Sequence, residues 1–217
     1  MKRTRWTVLA AALVALMLAV AGCASGAAKT TRESGFAGVV QRPVLTRPGF
    51  HLTDTHGRLY DFRARTKGRL TLLYFGYTHC LTECPTTLAT VASALRRMPA
   101  EQRHQVTLVL VTTDPQRDTG PVLREYLHRF DPSFIGLTGT PHQVARAERI
   151  SSAQPSETEP ATPGGDHKIA HTTWLYAYGL DDVARIVYGP SVSVNDLRHD
   201  LPLLLAGKVP SPGTGWG

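Results

Sequence analysis

No apolar run in this 217-residue chain is long enough to cross a bilayer as a helix, which takes roughly 20 residues. The longest, Val8 to Ala21, stops at 14. Cysteine is scarce, with three in all, too few for the dense disulfide framework of a small secreted scaffold. No basic run exceeds two residues, so nothing points to a nucleic-acid surface. A glycine-rich phosphate loop, a serine-triad context and an internal repeat are also missing, and no second domain is marked. The apolar share of 42% is ordinary, so one sizeable core is within reach.

The apolar run belongs to a leader. A basic head, Met1-Lys2-Arg3-Thr4-Arg5, precedes it, and small residues follow in Ala21-Gly22-Cys23-Ala24. Basic head, short apolar stretch and small residues make a secretory signal. Small residues directly before a cysteine resemble a bacterial lipobox, which implies cleavage before Cys23 and lipidation of its thiol. An ordinary signal peptide or an uncleaved anchor is the plainer alternative. Removal of Lys2, Arg3 and Arg5 with the leader lowers the formal charge from +7 to +4, a mild excess with no patch. The expected organisation is therefore a signal peptide over 1–22, a lipidated flexible tether over 23–47, one domain over 48–208 and a disordered tail over 209–217.

Within the domain, Asp54-Thr55-His56-Gly57 between two short apolar stretches predicts a β-hairpin over 50–62. Leu70 to Gly76 and Val106 to Thr112 are compact apolar strands of the kind buried on both faces. Between them, Leu88, Val91, Ala92 and Leu95 recur at helical spacing, and Pro85 suits the first turn of that helix. A second helix follows Asp118 or Thr119 as cap, a strand runs over 134–138, and Thr140-Pro141 opens a third helix to about Ile150. Residues 151–168, rich in Ser, Pro, Glu, Thr and Gly, predict an exposed loop. Strands over 171–178 and 183–188 and a helix over 194–205 complete the chain. Alternating strands and helices with a cysteine-bearing helix after the first buried strand predict an α/β, thioredoxin-like fold. Its central mixed sheet is flanked by helices and carries an N-terminal β-hairpin.

The chemistry concentrates in Gly76-Tyr77-Thr78-His79-Cys80-Leu81-Thr82-Glu83-Cys84-Pro85. A helix N-terminus offers unpaired N–H groups that stabilise a thiolate. Cysteines at i and i+4 fall on one side of a helical turn, so Cys80 and Cys84 can meet one metal or each other. Three intervening residues suit a metal about 2.3 Å from each sulfur at least as well as a disulfide of about 2.05 Å. Thiolates favour Cu(I), imidazole also suits Cu(II), and zinc fits the same atoms. The spacing leaves these open.

At this point the sequence resembles the SCO/SenC copper chaperones, from about Phe50 to Leu205. One block is Phe75-Gly76-Tyr77-Thr78 with Cys80, Cys84 and Pro85; the next runs from Asp114-Pro115-Gln116-Arg117-Asp118-Thr119 through Leu123, Tyr126 and Phe130-Asp131 to Phe134-Ile135-Gly136-Leu137-Thr138-Gly139; the last is a histidine before a C-terminal strand. The resemblance implies a third copper ligand at that histidine. His171, followed by Thr172 and an apolar stretch, fits it; His167, preceded by Asp166, is the rival four residues away. The chain departs from the family at Leu81 and Glu83, where Pro and Asp are usual, and at Thr172, where Ser is usual. Asp114 carries an implied accessory role, set against a plain turn aspartate. His79 adjoins Cys80 and is an accessory candidate, although a solvent-facing histidine is the common case. The remaining histidines, among them His51, His104 and His199, lack ligand spacing.

The implied function is a copper-binding assembly factor, with Cys80, Cys84 and His171 as ligands and copper, Cu(I) or Cu(II), as cargo. The implied recipient is the CuA centre of cytochrome c oxidase, reached directly or through another copper chaperone. The alternative is a thiol–disulfide reductase that uses Cys80 and Cys84 as a redox pair on cysteines of the oxidase subunit or its chaperones, and a peroxidase-like thiol enzyme is the remaining possibility. A lipid-anchored monomer on the extracytoplasmic face of the cell membrane, without nucleic acid, completes the expectation.

Overall fold

The structure is a computed structural model, and it describes residues 35–159 and 167–211. The expected signal peptide, Cys23 and most of the tail lie outside the described residues. Among the described residues no helix is long and apolar enough to cross a membrane.

The two continuous apolar runs become β4 (Leu70–Gly76) and β5 (Val106–Thr112), every residue of which is buried. They pair in parallel, Leu70 opposite Val106 through Gly76 opposite Thr112. Their β-branched and aliphatic content suits a strand covered on both faces. β6 (Ile135–Thr138) extends the parallel portion, and β9 (Leu175–Tyr178) lies antiparallel on the other side of β4. β10 (Val183–Tyr188) and β1 (Val39–Thr46) continue outward from β9. The expected hairpin, β2 (His51–Asp54) and β3 (Leu59–Asp61), sits at the far edge beyond β6. The strand order is β1-β10-β9-β4-β5-β6-β2-β3, a mixed sheet.

Side chains alternate across the sheet and split the core. Leu70, Leu72 and Tyr74 pack with α2 (Glu83–Arg96), α4 (Gly120–His128) and α6 (Val194–Leu205), which contribute Leu88, Leu123 and Leu201. Leu73 and Phe75 pack on the opposite face with Phe62 of α1 (Phe62–Thr66) and Val144 of α5 (Pro141–Ile150). Thr140 and Gln143 form a capping box that fixes the start of α5. A short helix, α3 (Ala100–Arg103), leads into β5. Helices cover both faces, as the thioredoxin-like reading requires.

Three expectations need correction. The tether expected over 23–47 is not a tether over its last part, where β1 pairs Val39 with Val187 and Thr46 with Val183. Its Gly serves packing, and its Pro lies exposed on the strand. A Cβ on Gly38 would lie 2.3 Å from Ile186 Cγ2, and Pro43 is tolerated because β1 is an edge strand. Buried Asp200 accepts from the N–H groups of Ala37 and Gly38 at 2.8 Å. Buried Arg47 bonds Asp182 at 2.6 Å and the carbonyl of Gly179 at 2.8 Å, which ties down the other end.

The strand expected over 171–178 begins only at Leu175. Thr172 Oγ1 accepts from Trp174 N–H at 3.4 Å and His171 Nδ1 lies 2.7 Å from the Thr172 carbonyl, local contacts that compete with strand pairing. The loop expected over 151–168 contains β7 (Glu157–Thr158), which pairs with β8 (Ile169–Ala170), and its Ser151 and Ala153 are buried.

Candidate metal centre

β4 delivers the chain to the site at Gly76, and α2 receives it at Glu83. Gly76 is needed for the close approach of the helix: a Cβ there would stand 2.8 Å from Cys84 Sγ. Residues 77–82 form a tight connection in which Cys80 N–H donates to the Tyr77 carbonyl at 3.3 Å. Cys84 and Pro85 occupy the first turn of α2. Pro85 has no N–H to lose there, while Cys84 N–H donates to Cys80 Sγ at 3.3 Å.

That geometry separates the two thiols. The hydrogen bond from the Cys84 thiol holds the Cys80 thiol far below its usual range, to about 3. Burial opposes the shift, while His171 and the N–H groups of Cys84 and Thr82 add to it. Cys84 is pushed up, because its proton is engaged by Cys80 and it is fully buried. The pair therefore holds one thiolate and one thiol, and both cysteines are free of disulfide.

The third donor arrives from the connection between β8 and β9. His171 Nε2 lies 3.5 Å from Cys84 Sγ, and its Nδ1 faces the Thr172 carbonyl at 2.7 Å. A carbonyl can only accept, so Nδ1 carries a hydrogen and Nε2 is the ring nitrogen turned to the sulfurs. Burial pulls the imidazole's pKa down, but its contacts with Cys80 and the Thr172 carbonyl outweigh burial and leave it raised. Cys80 Sγ, Cys84 Sγ and a His171 ring nitrogen lie within 4.8 Å of one another. Ligands about 2.0–2.3 Å from one shared metal stand roughly 3.5–4 Å apart, so the group is within a small adjustment of holding one. Two sulfurs and an imidazole suit copper, the thiolates favouring Cu(I) and the imidazole also accepting Cu(II).

The other residues singled out in the sequence are outside the three-donor group, although Glu83 touches it. His167 is not in the three-donor group; its Nε2 is 3.7 Å from Asp114 Oδ2. Asp114 is buried, also pairs with Arg117, and lines a separate hollow of about 510 Å3 together with His167, Gln116 and Glu159. His79 is half exposed, with Nδ1 3.1 Å from Thr78 Oγ1 and 3.9 Å from Asp118 Oδ1. Glu83 Oε2 lies 3.7 Å from Cys80 Sγ. Leu81, between the cysteines, is 88% exposed.

Sequence reasoning missed the work of Asp118. Of the two cap candidates, Asp118 and Thr119, the cap position is Thr119, without a side-chain cap bond. Asp118 is instead fully buried and accepts from Thr78 N–H at 3.0 Å, Thr78 Oγ1 at 2.5 Å and Thr112 Oγ1 at 2.6 Å. It thereby fastens the cysteine loop to the end of β5. Its partner Thr78 is 40 residues away, so no local signal could reveal it.

Comparison with known proteins gives one family. A family model described as SCO1/SenC matches residues 40–202. A protein of Stutzerimonas stutzeri named for copper binding is 39% identical over 159 residues, 73% of this chain and 76% of its own length. The mitochondrial SCO2 homologue of Homo sapiens is 33% identical over 153 residues, 70% of this chain but 57% of its own length. The structure of Bradyrhizobium japonicum ScoI with copper bound superposes with a TM-score of 0.66 at 30% identity, covering 74% of this chain and 99% of that one.

Proposed function

The chain belongs to the SCO1/SenC family, and from that premise we propose that it is a copper chaperone whose ligands are the sulfurs of Cys80 and Cys84 and Nε2 of His171. The observation that carries this reading is the convergence of those three donors within 4.8 Å, and the copper-bound relative supports it. Binding displaces the Cys84 proton, because a thiolate is the ligand. Three protein ligands leave an approach for a fourth from a recipient, so copper leaves by ligand exchange. The recipient is the CuA centre of cytochrome c oxidase, reached directly or through another copper chaperone. Oxidation of Cys80 and Cys84 to a disulfide removes both sulfur ligands and stops binding.

The protein acts as a monomer on the extracytoplasmic face of the cell membrane, held by a lipid on Cys23 after removal of residues 1–22. The domain includes Phe36 and β1, which the sequence placed in the tether.

The thiol arrangement favours one further reading, reduction of disulfides. The Cys80 thiolate is the nucleophile, since it is 7% exposed while Cys84 is wholly buried. Attack on a partner disulfide forms a mixed disulfide and releases one partner thiolate, which takes a proton. Cys84 then gives up its proton and attacks Cys80 Sγ, releasing the second partner thiol and leaving a Cys80–Cys84 disulfide. Two electrons pass to the partner.

Cu(I) titration of the reduced chain against a competing chelator tests the leading reading. One copper should bind per chain, and Cys80→Ser should abolish binding. Copper affinity unchanged by His171→Ala would sink the three-ligand assignment, whereas loss of copper binding with retained disulfide reduction would separate the two activities.

A further inference from the structure

Tyr77 makes no bond to any proposed ligand sulfur through its side chain, yet it touches both arms of the centre. It lies directly after β4 and is 5% exposed. Its backbone carbonyl accepts from Cys80 N–H at 3.3 Å, which closes the turn that presents the first thiol. Its hydroxyl oxygen accepts from Ile169 N–H at 3.2 Å, across 92 positions of sequence. Ile169 stands two residues before His171. Its ring meets the His171 imidazole edge to face, with centroids 5.6 Å apart and planes at 89°. Tyr74 meets the same imidazole at 6.3 Å and 83°, so two tyrosine rings contact the histidine.

Tyr77 is itself held in place. The Arg117 guanidinium lies 6.0 Å from its ring centroid. Arg117 pairs with Asp114 and donates to the His167 carbonyl at 3.2 Å. One arginine thus braces the tyrosine and the approach to β8 at once. This also gives Asp114 a part: it acts through Arg117 and Tyr77 rather than on the metal.

We infer that Tyr77 is a positioning residue that preassembles the centre by pinning the histidine arm to the cysteine loop before metal arrives. The pin is needed because β8 has only two residues and offers the arm little strand pairing of its own. A ligand held in place loses less freedom on binding, so a preassembled site binds more tightly than a loose one. The inference rests on the copper-chaperone reading for its consequence, but the pin is a property of the metal-free chain.

The test uses the full reduced chain, with Tyr77→Phe, Tyr77→Leu, His171→Ala and the Tyr77→Phe/His171→Ala double variant. Amide hydrogen exchange without metal reads the pin directly. Tyr77→Phe removes the acceptor and keeps the ring, and should raise Ile169 exchange at least about tenfold while β4 amides stay protected. Unchanged Ile169 exchange overturns the proposal whatever copper does. With Cu(I) as probe, Tyr77→Leu should weaken binding about tenfold and Tyr77→Phe less. In the His171→Ala background Tyr77→Phe should change affinity less than twofold, because positioning has no object once the imidazole is gone. An equal loss in both backgrounds means a general structural role and rejects the proposal. Should Tyr77→Leu fail to fold, the Tyr77→Phe exchange and the cycle decide alone. Wild-type affinity unaffected by His171→Ala would sink the chaperone ligand set, while the exchange result still judges the pin.

Discussion

The thiol arm and the imidazole arm of the centre are built by different means. The thiol arm runs from β4, buried along its whole length, through a loop fastened by Asp118, into α2, whose Cys84 is itself part of the core. The imidazole arm hangs between two-residue β8 and four-residue β9, held by Tyr77, Arg117 and the Thr172 carbonyl. Burial of a strand and a helix holds the sulfurs in place as a by-product of folding, whereas the nitrogen depends on a few polar and aromatic contacts. On the copper-chaperone reading, the arm with less support is the one to yield when copper is handed on.

Substitutions should expose the difference. Cys84→Ala should both destroy Cu(I) binding, by at least about a hundredfold, and destabilise the fold by about 1 kcal/mol, since it empties a filled core position. His171→Ala should weaken Cu(I) by about ten- to a hundredfold and leave the melting temperature within about 2 °C. Chelator competition and thermal melts measure both; a large melting loss in His171→Ala would erase the contrast. Asp118→Ala should cost about 2–3 kcal/mol in urea unfolding, because it leaves the Thr78 and Thr112 donors without their buried acceptor. Alkylation sharpens the comparison within the thiol arm. The lowered pKa of Cys80 means its thiolate persists as pH falls, so its iodoacetamide rate should drop less than about threefold from pH 7 to 5. An ordinary thiol, with pKa near 8.5, loses about a hundredfold over that range. The smallest effect belongs to His167→Ala, which should change Cu(I) affinity less than about threefold, since His167 faces Asp114. A larger loss would move the nitrogen ligand.

What could be read in advance follows the same division. β4, β5 and α2 are legible because their apolar residues are continuous or helically spaced. The capping box at Thr140 marks α5 for the same local reason. β1 was hidden because its register joins Val39 to Val187 and its Gly and Pro read as linker. The cysteine pair announced reactivity, but His171 entered only through the family resemblance, and its true setting before β9 was not periodic. Tyr77, Asp118 and Arg117 sat in the quoted blocks, yet their partners are 92, 40 and 50 residues distant. Long-range polar contacts leave no trace in composition or spacing.

The edge position of β1 has a mechanical side. Val39, the first residue of β1, is level with Val187, Tyr176 and Leu73, and β1 runs opposite to β4, so the chain enters the sheet from the end of β4 that carries the cysteine loop. In the plane of the sheet, β4 is three strands from β1 and the hairpin edge seven, roughly 14 Å and 34 Å at 4.8 Å per strand. If the chain were held upstream of Phe36, the point of attachment to the domain would lie close to its cysteines. Rotation about such a point would sweep the hairpin edge through a wide arc while the cysteine loop travelled little, and a leash fastened there would confine the reactive end more tightly than the rest of the body.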